Sequence, residues 1–184
     1  MTQLDDDDSI VIRRLSPAEA RERVPELSAI LIDCVDGGAS VSFMAPLTRE
    51  RADAFWREVA AGVAADDRTL LVAEDVESRA LLGTVQLVLR QPENQPHRAE
   101  VAKMLVRRSA RRRGLGARLM QAVEQAAIEH GKWLLVLDTV TGADGERLYP
   151  RLGWERVGVV PDYALMPDGR MCSTTIFYRR LAAF

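Results

Sequence analysis

Residues 106–120 read VRRSARRRGLGARLM, and within them Arg111-Arg112-Arg113-Gly114-Leu115-Gly116 joins an apolar, strand-like run to the start of a helix. A bare helix N-terminus presents unpaired N–H groups and the positive end of the helix dipole, which together favour an anion such as pyrophosphate. Gly114 and Gly116 lack a Cβ, so the backbone can take positive φ and lie close to phosphate oxygens, while neighbouring arginines offer charge-assisted hydrogen bonds. A pyrophosphate-bearing ligand is implied. The segment lacks the G-x-G-x-x-G of dinucleotide sites and the Gly-Lys-Ser/Thr ending of a P-loop. The plainer reading, a loop-to-helix turn with solvated arginines, has to be weighed against the flanking sequence.

Working outward, 100–106 read as the strand that enters this turn and 114–130 as the helix that leaves it, with Leu115, Leu119, Val123 and Ala126 forming a core-facing stripe. Upstream, 10–15 suggest a first strand, followed by the helix start Ser16-Pro17-Ala18-Glu19. That helix is expected to run to about Val35, where Gly37-Gly38 end it, with Pro25 as a possible break. A second helix is expected over 48–65, where Ala52, Phe55, Trp56, Val59 and Val63 recur at helical spacing. Residues 69–74 and 81–89 suit an antiparallel hairpin. Downstream, the apolar run 133–137 reads as a strand buried on both faces. A short helix over 143–152 and strands over 154–160 and 174–179 complete the order. The succession is a mixed α/β layer arrangement rather than a repeating βαβ wheel.

A chain of 184 residues with 47% apolar and 28% charged content suits one globular domain, expected over 10–184, behind an acidic tail over 1–9 that carries Asp5 to Asp8 and is expected to be disordered. The formal charge of −2 and the absence of aromatics among the arginines of 107–118 argue against a nucleic-acid partner. No stretch has the apolar length of a membrane span, and the N-terminus lacks a signal-like pattern, so a cytoplasmic location is expected. Cys34 and Cys172 are far apart and read as reduced thiols; with His97 and His130 equally isolated, no metal site is expected.

The spacing Arg111, Gly114, Gly116 matches R-x-x-G-x-G, and AEVAKMLV at 99–106, LLVLDT at 134–139 and RLYPRLGW at 147–154 accompany it. In these four segments the chain resembles the GCN5-related N-acetyltransferases, over nearly its whole length. GGASVSFM at 37–44, Asp138-Thr139 and PDGR at 167–170 are similar to the tabtoxin-resistance branch of that family, whose members inactivate a β-lactam toxin. The resemblance implies a mostly antiparallel mixed sheet flanked by helices, with acetyl-CoA as acetyl donor in a splay between the strands at 100–106 and 134–139. It implies that main-chain groups of Met104, Leu105 and Val106 hold the pantetheine arm and that amides from Arg111, Arg112, Arg113, Gly114, Leu115, Gly116 and Ala117 hold the pyrophosphate. Side chains of Arg107, Arg108, Arg112 and Arg113 are candidates for phosphate contacts.

The same resemblance assigns Glu100 and Asp138 as general-base candidates and Tyr149 as proton donor to the departing thiolate. The chemistry fits: the amine is mostly ammonium at neutral pH and must lose a proton, and the thiolate must gain one. Without the resemblance, Glu100 reads as a solvent-facing strand residue, Asp138 as a strand-end cap and Tyr149 as a packed aromatic. Many family members carry an asparagine seven residues before the tyrosine; here that position is Gly142. The acceptor is expected among Asp33 to Met44, Phe55-Trp56 and Pro161 to Asp168, with Asp33 or Asp36 available to an ammonium group. A small amino-acid-like amine is the implied acceptor. Acetylation of a protein N-terminus or lysine, and a catalytically silent acyl-CoA-binding regulator, are the competing readings; a homodimer through the last strands is compatible with the sequence.

Overall fold

One seven-stranded sheet in the order β1-β2-β3-β4-β5-β7-β6 organises the computed structural model, which describes residues 9–181. Its elements are β1 (Ile10–Arg14), α1 (Pro17–Glu22), α2 (Val24–Asp36), α3 (Arg49–Ala64), β2 (Arg68–Asp75), β3 (Leu81–Val88), β4 (Arg98–Val106), α4 (Leu115–Glu129), β5 (Leu134–Val140), α5 (Asp144–Arg151), β6 (Glu155–Leu165) and β7 (Met171–Arg180). The acidic run Asp5 to Asp8 lies outside the described residues. Every neighbouring pair is antiparallel except β4 with β5. No helix among the described residues is long and apolar enough to cross a membrane.

Alternation along the strands sends side chains to two cores. On one face, Leu71, Ala73, Val85, Leu87, Ala99, Val101, Leu135, Leu137 and Phe177 pack under α4, whose Leu115, Leu119, Val123 and Ala126 are all buried as their spacing predicts. On the other, Leu70, Val72, Leu81 and Leu105 meet Leu27, Ile30, Leu31, Trp56 and Val59 of α2 and α3.

The first helix does begin at a capping box, with the Glu19 N–H donating to Ser16 Oγ at 3.3 Å and the Ser16 N–H to Glu19 Oε2 at 2.9 Å. It breaks at Arg23, before Pro25, because the proline stands in the first turn of α2, where its missing N–H is not needed. A buried carboxylate ties this corner together: Glu74, 0% exposed, takes Arg13 at 2.6 Å and Arg79 at 2.8 Å.

Two strand expectations are corrected. β5 is not buried on both faces: Leu135 and Leu137 are buried, whereas Asp138 is exposed, and Trp133 lies before the strand, 40% exposed and stacked on His97. Only the α4 side of β5 is covered. β6 does not stop at Val160 but continues to Leu165 through register shifts at Arg156/Gly158 and Val160/Ala164. Pro161 is tolerated inside it because β6 is the sheet edge, where a missing N–H breaks no ladder bond.

Candidate active site

β4 and β5 pair at three positions, Arg98 with Leu134, Ala99 with Leu135 and Glu100 with Val136, and then part. From Val101 to Val106, the only strand β4 pairs with is β3, so the sheet opens on the β5 side of this segment; at its end the Val106 carbonyl accepts from Arg111 Nε at 3.3 Å and from the Cys34 thiol at 3.5 Å. Met104, Leu105 and Val106, the expected pantetheine-binding residues, lie along that opening.

Glu100 shares a face with Val136, and two residues further along β5 Asp138 points the same way, opposite the buried Ala99, Val101, Leu135 and Leu137. The two carboxylates are therefore diagonal neighbours on the sheet face not covered by α4. Thr174 of β7 steadies Asp138, its hydroxyl lying 2.9 Å from both Asp138 Oδ2 and the Thr139 carbonyl.

Tyr149 approaches from the other layer. It sits on α5, 6% exposed, against Trp154 and Phe177 with ring centroids 6.0 and 5.6 Å away. Burial, with a smaller contribution from the Asp138 charge, pushes its phenol up to about 12. Its ring belongs to the core on the α4 side of the sheet, whereas Asp138 faces the other side. Glu100 and Asp138 thus flank the point where β4 and β5 separate.

At the start of α4, Gly114 is the N-cap in the left-handed region at φ 74°, a conformation that favours glycine. A Cβ there would have no atom within 4 Å, so the requirement is conformational. Gly116 is different, since a Cβ would come 3.2 Å from Leu148 of α5. The first glycine turns the chain; the second lets α4 sit close to α5. Arg112 is also left-handed, at φ 63°, and the amides of Leu115, Gly116 and Ala117 form the helix's first turn.

Two of the candidate arginines have partners within the fold. Arg107 donates from Nε to the Leu81 carbonyl at 2.7 Å, and Arg108 donates from its main-chain N–H and its Nε to the two oxygens of Asp33, both at 2.8 Å. These side chains fix the turn to the body of the fold. Asp33 is consequently occupied rather than open to an ammonium group: burial raises its carboxyl, but the Arg108 bonds outweigh that and hold it below the usual carboxylate range. At Gly142, where many family members carry asparagine, the main-chain N–H donates to Glu146, which also accepts from the Thr175 hydroxyl at 2.6 Å.

The sequence reading missed Lys103. Its backbone is left-handed at φ 50°, within the irregular pairing between Thr84/Leu105 and Gln86/Ala102. Its ammonium donates to Ser42 Oγ at 3.1 Å and lies 5.7 Å from the centre of the Phe55 ring. Burial lowers its pKa, while Asp138 and Glu100 pull it back up. The signal in the sequence was a lone cation inside the otherwise apolar run 101–106.

The loop between α2 and α3 roofs this face and is clasped by the last hairpin: Ser40 Oγ donates to the Leu165 carbonyl at 2.8 Å, and the Ala45 N–H to the Pro167 carbonyl at 3.1 Å. The site thus combines an opened parallel pair, a glycine-turned helix start beside it and two carboxylates at the opening. The sequence model of the acetyltransferase (GNAT) family matches residues 39–154, which include all of these features except β7 and the hairpin tip. The chain belongs to this family.

Solved members share its architecture. A GCN5-related N-acetyltransferase from Kribbella flavida superposes with a TM-score of 0.78 at 22% identity, over 96% of this chain and 100% of that one. Ribosomal-protein-alanine N-acetyltransferase from Brucella melitensis gives 0.77 at 21%, over 93% and 99%. The acetyltransferase yncA from Salmonella typhimurium, solved with its cofactor acetyl-CoA, gives 0.76 at 18%, over 96% of both chains. As a GNAT acetyltransferase the protein is an acetyl-CoA-dependent enzyme.

Proposed function

We propose that this GNAT enzyme acetylates the primary amine of a small, amino-acid-like molecule, in the manner of the toxin-inactivating branch that its 37–44 and 167–170 segments resemble. The observation that carries the reading is the placement of Glu100 and Asp138 on one face, at the point where β4 and β5 part, with Tyr149 rising from the opposite layer.

Acetyl-CoA supplies the acetyl group as a thioester. No strand pairs with Met104, Leu105 and Val106 on the β5 side, which suits its amide-bearing arm lying along β4 as an added strand. The helix start at Gly114 to Ala117, with Arg111, Arg112 and Arg113 before it, suits its pyrophosphate. Glu100 or Asp138 takes the proton from the acceptor's ammonium, directly or through water, leaving a neutral amine to attack the thioester carbonyl. Tyr149 gives its phenolic proton to the sulfur that leaves. Its elevated pKa keeps that proton in place at neutral pH, and its hydroxyl makes no hydrogen bond to another described residue that would compete. The exposed apolar side chains Val157, Val159 and Tyr163 on the edge strand β6 support self-association through the last strands.

A thiol-release assay with acetyl-CoA against small amines, amino acids and N-terminal peptides tests the function. Turnover of small amines is expected. Turnover of peptides alone would move the enzyme to the protein-modifying class, and tight CoA binding without any turnover would make it an acyl-CoA-binding regulator.

A further inference from the structure

Lysine is nearly absent from this chain: of 25 basic residues only Lys103 and Lys132 are lysines, the rest arginine. Lys132 is accounted for by its bond to the Pro96 carbonyl at 2.6 Å. Lys103 is not. It is half-buried against the proposed acceptor face, yet among the described residues its ammonium has a hydroxyl and an aromatic ring as close partners and no carboxylate within ion-pair reach. The charges of Asp138 and Glu100 act on it from further away. A left-handed backbone at a sheet irregularity aims it there, and such irregularities commonly re-aim a side chain beside a functional site. A compact point charge on a long stem, rather than arginine's broad fork, suits a single anionic group in a confined space.

We propose that Lys103, assisted by the Ser42 hydroxyl, receives the carboxylate of the acceptor and so selects zwitterionic amino acids over simple amines. The recognition rests on the small-molecule reading above. The acceptor's ammonium faces Glu100 and Asp138, its carboxylate faces Lys103, and the two charges of an amino acid meet their opposites across one pocket. Phe55, under the lysine stem, holds the ammonium in place and excludes water from one side. With the carboxylate anchored, the amine is held toward the opening between β4 and β5, where the thioester would lie.

The test uses matched pairs that differ only in the carboxylate: leucine with isoamylamine, and lysine with cadaverine. In the wild-type enzyme the amino acid is the better substrate of a pair by kcat/KM. Lys103→Met keeps the stem over Phe55 and removes the charge, and it should lower the ratio of amino acid to amine by about tenfold or more, chiefly through KM for the amino acid. Lys103→Arg should recover part of that ratio. Unchanged thermal unfolding and an unchanged CoA dissociation constant in Lys103→Met would show that the fold is intact. A wild-type preference for the amines, or a Lys103→Met effect equal on both members of each pair, overturns the assignment while leaving small-amine acetylation standing. Turnover confined to peptides overturns both.

Discussion

Glu100 and Val136 form the last pair between β4 and β5, and Asp138 stands two residues beyond that pair on the same face. Removing the charge from either carboxylate while keeping its shape should therefore spare the fold and impair proton removal. Glu100→Gln and Asp138→Asn are each expected to lower kcat, by about 10²-fold for the residue that acts as base, with the CoA dissociation constant nearly unchanged. Steady-state thiol release and calorimetric titration with CoA check this; a variant with wild-type turnover loses its catalytic role.

Tyr149→Phe keeps the ring against Trp154 and Phe177 and deletes only the hydroxyl. Turnover is expected to fall by about tenfold to a hundredfold with little change in unfolding temperature. Because burial raises the phenol from 10.0 to about 12, folding favours its neutral form. That contribution to stability is complete below pH 10 and is lost as pH rises through 12. Denaturant midpoints across this window should decline more steeply for the wild type than for Tyr149→Phe.

Gly114→Val addresses the cap of α4. The space around a Cβ is open, so the penalty comes from forcing a β-branched residue to φ 74°, about 1–3 kcal/mol, or from the turn relaxing away from that geometry. Weakened CoA binding, by about tenfold or more, is the expected result. A normal dissociation constant would contradict the assignment of the pyrophosphate to this turn.

Far from the site, the capping box of α1 offers a pH test. The Ser16 main chain and hydroxyl, followed by Arg13, hold Glu19 down at about 2 from an ordinary 4.5. Stability from this lowered group is present above pH 4.5 and disappears as pH falls toward 2. Its side chain is 37% exposed, so solvent screening limits the value, and Glu19→Gln should cost about 0.5–1 kcal/mol at neutral pH. The difference between the variant and wild type, read from urea unfolding, should vanish at the acid end.

The legible parts of this molecule were those governed by local rules. Helical spacing located the buried stripe of α4, the capping box located the start of α1, and the spacing of Arg111, Gly114 and Gly116 led to the family. What escaped depends on partners distant in the chain. Asp33 looked available because nothing nearby in sequence shows that Arg108, 75 residues on, bonds it twice. The run ending at Leu137 looked buried on both faces because apolar content does not reveal that only one face of β5 is covered. Pro161 looked like a strand end because edge position is a property of the finished sheet. Lys103 escaped because its direction is set by an irregular strand pairing and not by period-two alternation.

The clasp between Ser40 and the Leu165 carbonyl spans 125 residues. The roof loop is therefore held by a part of the chain that lies beyond every other element it packs against, and its position depends on the terminal hairpin being in place. For redesign, the roof loop and the terminal hairpin behave as a single cassette: grafting either alone into a relative would leave Ser40 or Leu165 facing a stranger's backbone.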